Sequence, residues 1–585
     1  MDSKDFFENL QEFNSRFVEA VQIMTQKKID PTMNPFMDVL GIHQAYLEAV
    51  TDFTNNPSKF LEHNLELASK VSNLMFHFMD KISGNNPEPL YESPRRDRRF
   101  KDKTWEESLY FNFVKQFYLM SSDWYRSLVQ KLEVPESKKR LLEFYTEQMI
   151  NASSPTNFIN LNPEVLNEMI ASNGKNLIQG IENFVADLKN SDNIIDITTA
   201  DKSVFSLGKN IASTEGKVIY QNDLAQLICY KPLEKSQSIP FFIVPPWINK
   251  YYILDLSKEN SFIQFLVNKG FQVYLISWVN PGSSYATKNF EDYLREGILE
   301  PTEFLKKNFG YEKFNTIGYC LGGTLLACAN AYLTNKGNNP FASSTYLTTL
   351  LDFSDPGDLG LFINSNTIEA IKEELKTKGY FSGKYMSHAF SLLRANELIW
   401  SFVVNNYLLG KKPLAFDLLF WNSDTTNLPA AMHSFYLENM YINNALVQPG
   451  GIKLLGVVID LSKIHTPSFF LSTIEDHIAP WASTFSGTKL FKQLSDLKFC
   501  LAGSGHIAGV VNPPVQKKYS YWVNDKLYED PNTWLNHATE HQGSWWEYWA
   551  DWAKEKSGEV VKAIDYDKIN FIENAPGTYA KMRNE

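Results

Sequence analysis

A thiol, a carboxylate and an imidazole occur in this sequence where together they could carry out nucleophilic acyl transfer. Cys320 lies in Gly318-Tyr319-Cys320-Leu321-Gly322, where a short strand over 314–319 is expected to turn sharply into a helix over 324–334. Such an elbow holds a nucleophile in a strained backbone conformation with its reactive atom exposed. Glycines two places before and after it let helix and strand pass closely without a Cβ clash. The helix N-terminus would face the sulfur and favour thiolate over thiol. Asp476 follows a predicted strand at 468–472, and His506 follows one at 497–501 through Ala502-Gly503-Ser504-Gly505. A lone histidine is more often structural, and an aspartate after a strand is often only a turn. Three residues in the order nucleophile, acid, base, each beyond a strand end, point to a catalytic triad. His477 competes for the base role, but its place beside Asp476 should turn its side chain away from Cys320. Backbone N–H groups should stabilise an oxyanion, one of them from Leu321. A second should come from the loop Pro245-Pro246-Trp247-Ile248-Asn249-Lys250. The prolines have no N–H to offer, which leaves Ile248 first and Trp247 second.

These residues need a scaffold that gathers strand ends. From about Val218 onward short β-rich apolar runs alternate with helical stretches, the pattern of a mainly parallel sheet. Strands are predicted at 227–230, 240–244, 272–278, 314–319, 345–351, 468–472 and 497–501. Ligands of open α/β sheets bind beyond the C-terminal ends of the strands, and the three candidates sit there. Between about 352 and 446 the alternation stops. That insertion, rich in aromatics and helix formers, reads either as a helical lid or as extra packing helices. The chain order of the three residues is that of α/β-hydrolases. The expected fold class is therefore α/β: an α/β-hydrolase core with a mainly parallel sheet and a helical lid insertion over 201–585, preceded by an all-helical N-terminal domain.

In the N-terminal third Phe6, Leu10, Phe13, Phe17, Val21 and Met24 recur at helical spacing. Further amphipathic stretches follow at about 38–54 and 57–82, and 84–94 reads as a linker. This third offers no catalytic constellation. Its apolar faces suit a partner, the catalytic domain or a hydrophobic particle.

Composition narrows the function further. A net charge of −11 over 585 residues argues against a nucleic-acid surface. The four cysteines are widely spaced, with no CxxC or Cys/His ligand pattern, so a reducing compartment and no structural metal are expected. The first residues lack a basic stretch leading into an apolar one. No apolar run reaches the ~18 residues that a membrane span needs. A cytoplasmic protein with no transmembrane segment is the expectation.

Several blocks resemble the polyhydroxyalkanoate synthases. They are Pro245-Pro-Trp-Ile-Asn-Lys-Tyr-Tyr252, Gly318-Tyr-Cys-Leu-Gly-Gly323, Phe416-Asp-Leu-Leu-Phe-Trp-Asn422, Asp476-His-Ile-Ala-Pro-Trp481 and Ser504-Gly-His-Ile-Ala-Gly509. Asp97-Arg-Arg-Phe100 with Trp105 is similar to the start of that family's N-terminal region. The resemblance implies a variable helical region at 1–94, a helical domain of the synthase family at 95–200 and the catalytic domain at 201–585. Trp247 stands where some relatives carry cysteine, and Tyr319 where some carry phenylalanine. The single full-length chain resembles the class I enzymes, which act on short-chain (R)-3-hydroxyacyl-CoA. From this follow an acyl–Cys320 intermediate, CoA as leaving group and no cofactor. The resemblance further implies a growing polyester chain, attachment to the polyester granule surface and a homodimer with Trp421 at its contact. Arg394 and His477 become candidate CoA contacts, and Trp247 and Ala508 candidate pocket residues. Granule-coating proteins are candidate partners of residues 1–94.

Two other readings share these residues. A cysteine-type α/β-hydrolase, such as a thioesterase or depolymerase, would use the same triad. A non-enzymatic granule-associated protein could keep the fold without the chemistry. The helical N-terminal third and the Pro-Pro-Trp-Ile-Asn-Lys block favour the polymerase.

Overall fold

The computed structural model describes residues 3–27, 34–35, 38–94, 97–192, 195–492, 494 and 496–583. The chain divides into two compact units, 1–201 with 388–414, and 202–387 with 415–585.

The first unit is helical, with long helices Ser3–Lys27, Val39–Asn55, Pro57–Ile82, Leu109–Gln130, Glu136–Ala152 and Lys175–Asn190. Local sequence sets their starts. Pro57 stands in the first turn of its helix, where the missing N–H is not needed. Asn162 caps Pro163–Ala171 by accepting from the N–H groups of Glu164 and Val165 at 3.0 and 3.3 Å. The first helix packs on Lys175–Asn190 through Ala20, Phe13 and Met24, against Ile181, Val185 and Leu188. Gly180 allows the backbone at Tyr407 to approach, since a Cβ there would lie 1.9 Å from the Tyr407 carbonyl oxygen. The packed stripe differs from the predicted one. Phe17 and Val21 are 51% and 47% exposed, and small Ala20 takes the central place.

The second unit is built on an eleven-stranded sheet. Its strands are β1 (Gly216–Gln221), β2 (Ala225–Tyr230), β3 (Phe241–Val244), β4 (Val273–Trp278), β5 (Phe314–Tyr319), β6 (Phe341–Leu347), β7 (Ser468–Thr473), β8 (Leu497–Ala502), β9 (Ser520–Val523), β10 (Thr539–Gln542) and β11 (Glu573–Asn574). They lie in the order β10-β9-β8-β7-β6-β5-β3-β4-β2-β1-β11. Strands β3 to β8 run parallel, and antiparallel strands extend both edges. Every residue of β3, β5 and β7 is buried, as a parallel sheet covered on both faces requires. The mainly parallel α/β fold is the one expected.

Strand β6 corrects one boundary. The apolar run predicted as strand at 345–351 belongs to β6 only up to Leu347, because Thr348 turns to φ 42° and ends the extended chain. The segment from 352 to 446 is mostly helical. Its stretch 388–414 is compact with the first unit and its remainder with the second. Among the described residues no helix is long and apolar enough to cross a membrane.

Candidate active site

The turn after β5 places Cys320. Its backbone has φ 53° and ψ −121°, and the helix Leu321–Asn335 begins at the next residue. For a residue with a Cβ such a conformation costs on the order of 1–3 kcal/mol, so the surroundings must enforce it. Three glycines do so by permitting contact. A Cβ on Gly318 would lie 2.5 Å from the Gly323 Cα, one on Gly322 2.1 Å from the Val244 carbonyl oxygen, and one on Gly323 1.9 Å from the Thr349 Oγ1. The Cys320 N–H donates to the Leu347 carbonyl at 2.9 Å, and its carbonyl accepts from Gly323 at 2.9 Å. The turn is thereby locked between β3 and β6. Cys320 is half-buried, whereas Cys229, Cys328 and Cys500 are buried. Burial pushes the thiols of Cys229 and Cys328 up to about 12, which makes them inert.

Two loops from neighbouring strands bring the acid and base. Asp476 follows β7 and is held on every side. Its Oδ1 accepts from the N–H groups of Ile478 and Ala479 at 2.9 and 2.8 Å, and its Oδ2 from the Thr473 hydroxyl at 3.2 Å. The same Oδ2 meets His506 Nδ1 at 2.7 Å, which leaves Nε2 for the substrate side. His506 is buried, and Cys320 lies near enough for its charge to act on the imidazole. Burial disfavours the imidazolium, but the charge of Asp476 and then that of Cys320 outweigh it and push His506 up to about 10. The Asp476 carboxylate thus favours the protonated imidazole. The structure brings Cys320, His506 and Asp476 together, with Asp476 hydrogen-bonded to His506.

Aromatic residues fix the histidine loop. The Tyr319 hydroxyl donates to the His506 carbonyl at 3.2 Å, and its ring stacks on the imidazole at 5.8 Å between centroids. The indole N–H groups of Trp545 and Trp546 donate to the carbonyls of Gly509 and Val510 at 3.0 and 2.9 Å. These tryptophans, with Trp549 and Trp552, are buried. Their spacing in sequence is equally that of an aromatic face open to polymer, but here they are core.

The oxyanion candidates lie on the elbow helix and on the loop after β3. Leu321 opens its helix, so its N–H has no acceptor within that helix. The loop after β3 meets the elbow where Gly322 approaches the carbonyls of Val244 and Pro245. The Ile248 carbonyl accepts from the Thr426 N–H at 2.8 Å, and the Pro245 carbonyl from the Trp278 indole at 2.8 Å. Trp247 is 1% exposed and packs on Trp278, Tyr293 and Tyr436. It therefore shapes the wall from behind.

The other candidates are scattered. Ala508 is half-buried in the turn after His506. His477 is half-buried, and its carbonyl accepts from the Asp358 N–H at 3.2 Å. Arg394 belongs to the first unit, where its guanidinium pairs with Glu397. Trp421 is buried within its own chain and donates its indole N–H to the Lys250 carbonyl at 2.7 Å. Sequence reasoning missed Tyr436, buried, and Tyr441, half-buried, with hydroxyls whose ionisation is disfavoured first by desolvation and also by the charge of Cys320. Phe353 packs on both at 6.0 and 5.1 Å. Only the aromatic richness of the 352–446 insertion hinted at them.

A strand-to-helix elbow over a mainly parallel sheet, with an Asp–His pair from two later strand ends, defines the α/β-hydrolase class, and the family model described as alpha/beta hydrolase fold matches residues 252–513. A second model, Poly-beta-hydroxybutyrate polymerase (PhaC) N-terminus, matches residues 96–266. The chain is 40% identical over 569 residues to the poly(3-hydroxyalkanoate) polymerase subunit PhaC of Rhizobium etli, covering 96% of this chain and 88% of that one. It is 42% identical over 533 residues to the poly(3-hydroxyalkanoate) polymerase of Methylorubrum extorquens, covering 90% and 88%. With the PhaC subunit of Cupriavidus necator it shares 39% over 500 residues, covering 84% of each. The chain belongs to the poly(3-hydroxyalkanoate) polymerase family and is an enzyme of the acyltransferase type.

Proposed function

We propose that the protein polymerises (R)-3-hydroxyacyl-CoA, foremost 3-hydroxybutyryl-CoA, into polyester with release of CoA, through an acyl group carried on Cys320. The observation that carries this reading is the hydrogen-bonded pair His506–Asp476 beside Cys320 at the elbow in a chain of this family. Sulfur suits the task. Exchange of one thioester for another is nearly isoenergetic, and passage of the acyl group to an alcohol then runs downhill to an oxoester.

Loading begins as the thiol proton of Cys320 passes to His506. The sulfur attacks the thioester carbonyl, and the N–H groups of Leu321 and Ile248 receive the oxyanion. The carbon–sulfur bond to CoA breaks, and the departing thiolate takes the His506 proton. His506, now neutral, accepts the proton of the 3-hydroxyl of the next unit as that oxygen attacks the acyl–Cys320 carbonyl. Ester forms, the cysteine leaves as thiolate, and the imidazolium is restored. Asp476 orients the ring throughout. Water would compete for the acyl group. Tyr436, Tyr441 and Phe353, from the insertion, form an aromatic wall beside Cys320 that would exclude it. Apolar residues exposed on Pro57–Ile82, among them Phe60, Leu61, Phe76 and Met79, would suit a granule surface.

Purified protein given (R)-3-hydroxybutyryl-CoA should release CoA and form insoluble product, and Cys320→Ala should lower CoA release by about 10⁴-fold or more. CoA and free acid in equal amounts without polymer would instead make it a hydrolase. Unchanged turnover in Cys320→Ala would remove Cys320 from the chemistry.

A further inference from the structure

We infer that the C-terminal segment, the helix Gly577–Lys581 with Arg583 beyond it, is a positioning device for the oxyanion loop, acting through Lys250 and Asp424. The inference rests on the acyl-transfer reading above and names residues which that reading does not use.

Lys250 lies two residues beyond Ile248 and is 3% exposed. Among the described residues it has no carboxylate partner within ion-pair distance. Its Nζ donates to the Tyr579 carbonyl at 3.0 Å. Burial, and then the charge of Arg583, push its ammonium down to about 7. A buried lysine at such a disadvantage is poorly explained as a charge. It is well explained as a long arm with an N–H at its end. Tyr579 is itself fixed, its N–H donating to Gln226 Oε1 at 3.1 Å and its hydroxyl to the Asn222 carbonyl at 2.6 Å. One end of the loop is thus tied, through Tyr579, to β2.

The other face of the loop leans on residues 421–426. Thr426 N–H donates to the Ile248 carbonyl at 2.8 Å, Asn249 bridges to Thr425, and Trp421 donates to the Lys250 carbonyl at 2.7 Å. Asp424 anchors this segment by accepting from the Tyr252 hydroxyl at 2.6 Å and pairing with Arg583. Arg583 also lies over the Phe420 ring at 5.6 Å. The C-terminal segment therefore grips the loop twice, directly at Lys250 and through Arg583 and Asp424. The Ile248 N–H belongs to the peptide just before the gripped residues Ile248 to Lys250. Hydrogen bonding to an oxyanion demands placement within a few tenths of an ångström, and losing one such donor lowers turnover about 10²–10³-fold.

The test separates acylation from mere reactivity of the thiol. Acylation of Cys320, read as single-turnover CoA release from (R)-3-hydroxybutyryl-CoA, needs the oxyanion site. Alkylation of the same sulfur by iodoacetamide, with Cys320→Ala as blank, does not. Lys250→Met and Arg583→Gln should acylate ~10–100-fold more slowly while alkylation stays within about twofold, and Arg583→Lys should recover most of the loss. Acylation at the wild-type rate in both variants would overturn the inference, as would parallel loss of acylation and alkylation. Should Lys250→Met fail to fold, Arg583→Gln, at a half-exposed side chain, carries the same comparison. A wild type that is alkylated yet releases no CoA would overturn the acyl-transfer reading itself, and this inference with it.

Discussion

The turn that carries Cys320 is closed by glycines at positions 318, 322 and 323, whereas the loop from Pro245 to Lys250 is held by groups 33 to 329 residues away. At the elbow, Gly318, Gly322 and Gly323 remove the Cβ atoms that would collide with backbone or with Thr349, and the strained φ of Cys320 follows. At the loop, Trp278 bonds Pro245, Thr426 bonds Ile248, and Trp421 and Tyr579 both bond Lys250. The loop bearing His506 is of the second kind, tied to Asp476, Trp545 and Trp546. The proposed nucleophile and the Leu321 N–H beside it are thus placed by local sterics, whereas the proposed base and the loop bearing Ile248 are placed by tertiary contacts.

The sharpest separation of the two comes from Asp476→Asn, which leaves the elbow intact. With the wrong tautomer favoured on His506, turnover should fall by about 10⁴-fold. The largest influence holding the imidazolium is lost as well, so His506 should fall from about 10 towards or below its ordinary value. The sign of the stability effect follows. A histidine whose folded pKa is raised contributes stability in full below its unfolded value, near 6.5, and loses it as pH rises through the folded value. The Tm difference between wild type and Asp476→Asn should therefore be larger at pH 6 than at pH 10. An equal difference at both would show that the Asp476–His506 pair is not charged as described.

Gly322→Ala attacks the elbow instead. The added methyl would meet the Val244 carbonyl oxygen at 2.1 Å and that of Pro245 at 2.7 Å, backbone atoms that cannot swing aside. A stability loss of about 1–3 kcal/mol is expected from overpacking, with turnover down roughly 10²-fold as the elbow shifts by about 1 Å. Gly282→Ala is the control, since a Cβ there has nothing within 4 Å and should change stability by less than about 0.5 kcal/mol. Urea denaturation of the two variants decides it.

The same contrast explains what could be read in the sequence. Glycines at fixed offsets from Cys320, and polar residues just past apolar runs, are local signals. They indicate which residues the structure gathers, and the buried strands β3, β4, β5, β7 and β8 lie within two residues of their predicted limits. The edge strands β9 and β10 were invisible. Thr539-Glu540-His541-Gln542 has no apolar alternation because every residue of it is exposed. At 345–351 the apolar run continues past the strand, since Leu350 and Leu351 are buried in the turn that follows, and hydropathy alone cannot distinguish buried strand from buried turn. The grips on the oxyanion loop leave no trace in any window, because Lys250 and Tyr579 meet only once the chain has folded.

Tyr319→Phe probes the one place where the two kinds of construction touch. Tyr319 is the last residue of β5, set by the elbow, yet its hydroxyl holds the His506 carbonyl at 3.2 Å. Phenylalanine keeps the ring that stacks on the imidazole and removes only that donor. A net loss of about 0.5–1.5 kcal/mol in stability is expected for one such bond. The imidazole remains fixed by Asp476 at 2.7 Å, and the loop by the Trp545 and Trp546 indoles. Turnover should accordingly drop less than about threefold, since the base retains its remote supports. If kcat fell by more than about tenfold while KM held, the elbow would be steering the base as well as the nucleophile, and the division between local and tertiary placement would have to be redrawn around Tyr319.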